Sequence, residues 1–147
     1  MSASIEERIA EEVKAALLDQ VLGVDNRVFR ARKDAFSPDE GGDAINIDTA
    51  EMTSRPISDA VDDNELTLDV CIYVRGDVWE TKADAYAVLV HPLLRQRDYL
   101  AAGLRVARVR RVDQDWAGDE GDATPGKRTV KYAFRCLTPA DDITAQP

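Results

Sequence analysis

The chain has 147 residues and a formal charge of −9, from 28 acidic and 19 basic side chains, with a single histidine. Its length fits one domain, residues 1–147, large enough to bury roughly 68–70% of the surface that the unfolded chain exposes, so a core can form without staples. The acidic balance argues against nucleic-acid recognition or binding to an anionic membrane, no apolar run approaches the ~20 residues needed to span a bilayer, and the first residues lack the pattern of a signal peptide; folding in the cytoplasm is expected.

In chain order, Ile5 to Leu22 reads as a helix. Ser4 stands at the N-cap, Glu7 is its capping-box partner and Gly23 is the stop. Ile5, Ile9, Val13, Ala16, Leu17 and Val21 recur at helical spacing and predict a buried stripe. Arg27 to Phe36 alternates weakly and suits an edge strand whose basic side chains discourage stray pairing. The turn-rich Ser37 to Asp43 leads into a short strand, Ala44 to Thr49, with room to extend to Thr53, and Ser54 to Asn64 reads as a loop.

Leu66 to Val74 carries the strongest signal. Leu66, Leu68, Val70, Ile72 and Val74 share one face, while Thr67, Asp69, Cys71 and Tyr73 take the other. A helix should follow from about Val78, capped by Asp77 with Glu80 reaching back, and present Trp79, Ala83, Tyr86, Val90 and Leu93 to the sheet, with Val78, Leu89 and Leu94 widening the stripe. Pro92 predicts a break or kink near His91, with a second short piece from Leu93 to Tyr99 ended by Gly103. Leu104–Trp116 and Arg128–Leu137 read as the arms of a hairpin across the acidic, Gly-rich stretch 117–127. Val130, Tyr132, Phe134 and Cys136 face inward, and a bulge between Val106 and Val109 would restore the phase of the first arm. Residues 138–147 read as a flexible tail. The fold class is α+β: a mixed, mostly antiparallel sheet of four to five strands, packed by an N-terminal and a central helix.

The sequence contains no nucleotide-binding glycine loop, HExxH, GxSxG or paired CxxC. Cys71 and Cys136 lie in strand patterns and read as buried reduced thiols. His91, near a helix end, reads as structural, although a Cys-His dyad would be formed if the fold brought the two together. The acidic pairs Asp62-Asp63, Asp119-Glu120 and Asp141-Asp142 read as solvated loop carboxylates. The series from Asp113 to Asp122 lacks the spacing of a calcium loop. No cofactor and no metal are expected, and Trp79 and Trp116 read as core or loop anchors. The local anomaly is Arg105, Arg108, Arg110 and Arg111, four arginines in seven residues. It reads as a solvated strand face paired with nearby acids or as a subunit or partner interface, since arginine suits bidentate carboxylate contacts, with a nucleic-acid contact as the remaining alternative.

The order and hydrophobic pattern resemble the tail terminator proteins of long-tailed bacteriophages, the minor tail protein U type. The features that carry this are the capped helix from Ser4, the strand Leu66–Val74, the Asp77-capped helix reaching Leu93-Leu94, Gly103, and the terminal pair with Val130-Lys131-Tyr132-Ala133-Phe134-Arg135. The resemblance spans nearly the whole chain. It implies a non-enzymatic virion protein that forms a homo-oligomeric, hexameric ring on the last ring of tail tube protein, stops tube growth and offers a surface to a head-completion or neck protein. Its place would be the head-proximal end of the tail, after assembly in the host cytoplasm. A ring needs head-to-tail contacts between different patches, and an acidic loop bearing Asp119 and Glu120 against Arg105, Arg108, Arg110 and Arg111 is one pairing that would serve. Two other readings compete: a neck or tail-completion subunit, and a small ligand-binding or enzymatic domain with a pocket near Trp79, Tyr86 and His91.

Overall fold

Alternation along the central strand decides the layering. In the computed structural model, which describes residues 3–32, 42–76, 78–104, 106–117 and 126–139, Leu66, Leu68, Val70, Ile72 and Val74 are all fully buried. Each such aliphatic side chain removed from water contributes about 1.5–3 kcal/mol, so this stripe fixes which face of the sheet receives the helices. The elements run α1 (Ile5–Leu17), β1 (Val28–Arg30), β2 (Ala44–Pro56), β3 (Val61–Val74), α2 (Trp79–Arg95), a single 3-10 turn (Leu100–Ala102), β4 (Val106–Ala117) and β5 (Gly126–Pro139). Among the described residues, five strands form one sheet in the order β1-β2-β3-β5-β4. Of the pairs between them β1 with β2 is parallel, and the others are antiparallel. The fold is therefore α+β, with α1 against β1 and β2, and α2 against β3, β5 and β4.

Several local expectations change. Helix α1 begins after Ser4, whose Oγ accepts from the Glu7 N–H at 3.3 Å. The Glu7 carboxylate does not close a capping box; it takes Arg30 of β1 at 2.5 and 3.0 Å, joined there by Glu11 at 2.9 Å. The helix stops at Leu17 rather than Leu22, because Leu18 turns extended and Asp19 is left-handed at φ 59°. Val21 and Val24 still reach the core, from turns. A four-residue apolar spacing is satisfied equally by a helix or by a turn that returns the chain to the core.

Strand β1 is three residues long, shorter than expected, and ends where Ala31 adopts φ 51°. Beyond it the Asn46 side chain replaces a strand partner, accepting from the Arg32 N–H and donating to the Arg32 carbonyl, both at 3.0 Å. The expected continuation through residues 33–36 lies outside the described residues.

The expected loop from Ser54 to Asn64 is instead the closed end of a long hairpin. Strand β2 continues to Pro56, β3 starts at Val61, and the Ile57 N–H donates to the Val61 carbonyl at 2.9 Å. Polar pairs hold this end: Ser54 with Asn64, and Arg55 with Asp63. Hydrophobic alternation, the signal used for the inner part, is absent here.

Helix α2 runs unbroken to Arg95, so the expected break at His91 and the second piece from Leu93 to Tyr99 do not form. Pro92 has no N–H for the Val88 carbonyl, but Val88 is 65% exposed and water can take that acceptor. Val78 is the N-cap without a side-chain cap, and Asp77 lies outside the described residues. The indole of Trp79 lies against Gly126, where a Cβ would overlap the ring. Gly103 closes the 3-10 turn with its N–H on the Leu100 carbonyl.

Strands β4 and β5 pair as the expected hairpin, with the expected bulge between Val106 and Arg108 and a second between Arg111 and Asp113. The stretch 118–125 and the tail from residue 140 lie outside the described residues, while Thr138 and Pro139, expected in the tail, belong to β5.

Candidate interaction surface

The helices cover one face of the sheet, and the register shows what stands on the other. Arg55 of β2 pairs with Asp63 of β3, Glu65 of β3 with Arg135 of β5, and Arg135 with Arg108 of β4. These strands bring together residues far apart in sequence. Arg55, Asp63, Glu65, Arg108, Arg110 and Arg135 line a groove of about 420 Å³ on this face. Four arginines against two carboxylates make it locally cationic in a chain of charge −9.

Asp63 anchors the groove. Its side chain is only 8% exposed. The Arg135 guanidinium donates to both carboxylate oxygens, Nε to Oδ1 at 3.0 Å and Nη2 to Oδ2 at 2.9 Å, and Arg55 adds a weaker contact at 3.4 Å. A two-pronged guanidinium contact of this kind is directional as well as charged. The Arg135 hydrogen bonds hold the Asp63 carboxyl below the usual aspartate range, against the opposing effect of burial. Arg110 donates to Glu65 at 3.1 Å, with both side chains about two-fifths exposed, and an open pair of this kind contributes about 0–1 kcal/mol. Arg108 is exposed and makes no hydrogen bond or ion pair among the described residues.

One prediction follows from Asp63. Its pKa is lower folded than unfolded, so its contribution to stability is fully present above the ordinary aspartate value near 3.8 and is lost as pH falls through the depressed folded value. A carboxyl-carbon NMR titration should show Asp63 as a low-titrating aspartate, and Arg135→Gln should move it upward. An unchanged midpoint in that variant would remove Arg135 as the cause.

The arginine cluster anticipated from sequence is divided by strand alternation. Arg108 and Arg110 point into the groove, whereas Arg111 stands opposite Tyr132 on the helix-bearing face. Arg105, Asp119 and Glu120 lie outside the described residues. Asp63, expected as a solvated loop carboxylate, is a buried strand residue. The roles of Arg55, Glu65 and Arg135 were not anticipated either, and only the strand register could have revealed them.

A second concavity, of about 620 Å³, meets the same end of β4 and is mostly apolar: Tyr99, Leu100, Leu104, Val106, Ala107 and Leu137 line it, with Arg97 and Asp98. Leu100 is 66% exposed. The outer edge of β4 is itself blunted, by two bulges and by Arg95 of α2, which donates to the Val109 carbonyl.

The reactive side chains take packing roles. His91 Nδ1 meets the Tyr132 hydroxyl at 2.9 Å, and burial, with Arg111 and Arg95 nearby, lowers its pKa and favours the neutral ring. Tyr86 donates to Asp43 at 2.5 Å, beside the Lys82 ammonium at 3.0 Å. Cys71 and Cys136 are buried free thiols; burial raises both, Cys136 to about 11, which keeps them protonated. Among the described residues, no group of three or more metal-ligating side chains gathers, and no helix is long and apolar enough to cross a membrane. No protein-family model matches the chain, and the curated proteins give no match to it.

Proposed function

We propose that this protein is a structural subunit that works by assembly: a tail terminator that forms a ring on the end of a phage tail tube, stops its growth and presents a surface for head attachment. The observation that carries this reading is the arginine-lined groove on the open face of the sheet, with an apolar concavity at the same end of β4, a surface suited to a protein partner. A small cationic patch on an acidic subunit favours contact between unlike patches of identical copies, and such head-to-tail contacts close into rings. Arg108 and Arg110 belong to that patch, and an acidic segment bearing Asp119 and Glu120 is a fitting counterpart. Tube protein and a head-completion or neck protein are the further partners of this reading.

The test is the mass of the purified protein in solution over a range of concentrations, followed by its effect on polymerising tube protein. A hexamer, and tubes of limited length, are expected. Because screening shortens the reach of exposed charges from about 10 Å at 0.1 M salt to about 3 Å at 1 M, high salt should shift the population toward smaller species. A chain that stays monomeric with tube present and leaves tube length unchanged would overturn the reading.

A further inference from the structure

The geometry points to an occupant for the two grooves: the acidic segment 140–147 of a second copy, with Asp141 and Asp142 on Arg108 and Arg110, and Ile143 in the apolar groove. This deepens the ring reading and rests on it for its biological setting. Three observations carry it.

The first is complementarity. Residues 140–147 read Ala-Asp-Asp-Ile-Thr-Ala-Gln-Pro, a carboxylate pair followed at once by one large aliphatic residue. Consecutive residues at one end of β4 offer the same two chemistries: Val106 and Ala107 line the apolar groove, and Arg108 the cationic one. Arg108, exposed and without a partner among the described residues, has its donors open. Carboxylate accepts from guanidinium in a paired geometry, as Asp63 already does from Arg135 in the same groove.

The second is reach. Eight residues follow Pro139, enough to extend about 26–29 Å, so the segment can cross to a neighbouring molecule.

The third is that its own groove is out of register. Arg108 lies level with Arg135, and Arg110 with Ala133, four and six positions before Pro139. β5 is flanked by β3 and β4, so the segment has no free edge of its own strand to return along, and Asp141 and Asp142 lie only two and three positions beyond Pro139. The carboxylates therefore meet a second copy's arginines more readily than their own. Such an exchange joins unlike patches, the geometry that a closed ring requires.

The test uses the whole chain carrying D141N and D142N, so that its own segment does not compete, and a fluorescent synthetic peptide of residues 138–147 as the probe. Saturable binding by anisotropy is expected, weakened about tenfold or more by R108E/R110E; R108Q/R110Q serves if the charge reversal impairs folding, which circular dichroism would show. A peptide in which Ile143 is replaced by Ser should also bind less well. No binding, equal binding of a scrambled peptide, binding indifferent to the arginine variants, or displacement of the peptide by an oligonucleotide would each overturn the proposal. Failures of the two readings are separable. Peptide binding by a chain that never forms rings would keep the docking site and remove the ring, whereas rings formed by D141N/D142N at the same concentration as the parent chain would remove the docking and keep the ring.

Discussion

Replacing Phe134 by alanine should destabilise the protein by about 3–5 kcal/mol, the range for deleting a buried aromatic side chain. Phe134 is fully buried at the centre of β5, between Leu66 of β3 and Val109 of β4 in the register. Tyr99 meets it edge-on, with ring centroids 5.8 Å apart and planes at 84°. The substitution removes the ring, its edge-to-face contact with Tyr99 and the filling of a region shared by three strands, and that region cannot collapse because the backbone hydrogen bonds hold the strands apart. Since domains of this kind are stable by about 5–15 kcal/mol in total, the variant would lose a large share of its margin. Urea denaturation followed by circular dichroism should show a lower midpoint with an unchanged slope. Val88→Ala is the control: Val88 is 65% exposed on α2, and a change there should fall within about 0.5 kcal/mol. A Phe134→Ala effect no larger than the control would mean that the core does not centre on β5.

What could be read in advance followed the periodic parts of the chain. Leu66 to Val74 and Val130 to Cys136 each declare a buried face by strict alternation, and Ile5 to Leu17 by helical spacing, so the α+β class, the helix-covered face and the β4–β5 hairpin were legible. The bulge at Val106–Arg108 was legible too, because the valines fall out of phase there. The closed end of the β2–β3 hairpin was not. Its register is held by Ser54–Asn64 and Arg55–Asp63, and polar residues alternating with other polar residues give no periodic signal. The continuity of α2 through Pro92 was hidden for another reason: whether a proline breaks a helix depends on whether water can reach the orphaned carbonyl, and that depends on tertiary exposure.

The groove combines both situations. Its arginines come from β2, β4 and β5, and positions 55, 108, 110 and 135 become neighbours only once strand order and register are known. The cluster from Arg105 to Arg111 was conspicuous as composition, but composition cannot say that Arg111 belongs to the other face. Asp63 shows the converse. A carboxylate that looked solvated beside Asp62 is held in place by a guanidinium 72 residues away.

Gly23→Ala should destabilise by roughly 2–4 kcal/mol, far more than a change from glycine at an exposed turn. Gly23 does not end α1, as its position suggested; it follows the turn after the helix, at φ +100°, where a Cβ would lie 2.5 Å from the Tyr86 hydroxyl oxygen. Two costs are therefore expected. An L-residue in the left-handed region is disfavoured by about 1–2 kcal/mol. The remainder comes from displacing Tyr86, whose hydroxyl donates to Asp43, a carboxylate that also receives the Arg75 N–H and the Lys82 ammonium. That second cost should depend on the hydroxyl. In a double-mutant cycle, Gly23→Ala should cost less in a Tyr86→Phe background, by the share due to the hydroxyl, because the nearest atom that the new methyl meets is then gone while the ring carbons at 3.1 and 3.2 Å remain. Equal costs in the two backgrounds would assign the whole effect to the backbone and the ring and would mean that the chain around Gly23 yields without disturbing the Tyr86–Asp43 contact. A smaller cost in the phenylalanine background would tie the turn after α1, the start of β2 and the middle of α2 into one packed unit, the part of the molecule that holds the helices on the sheet and leaves its opposite face open.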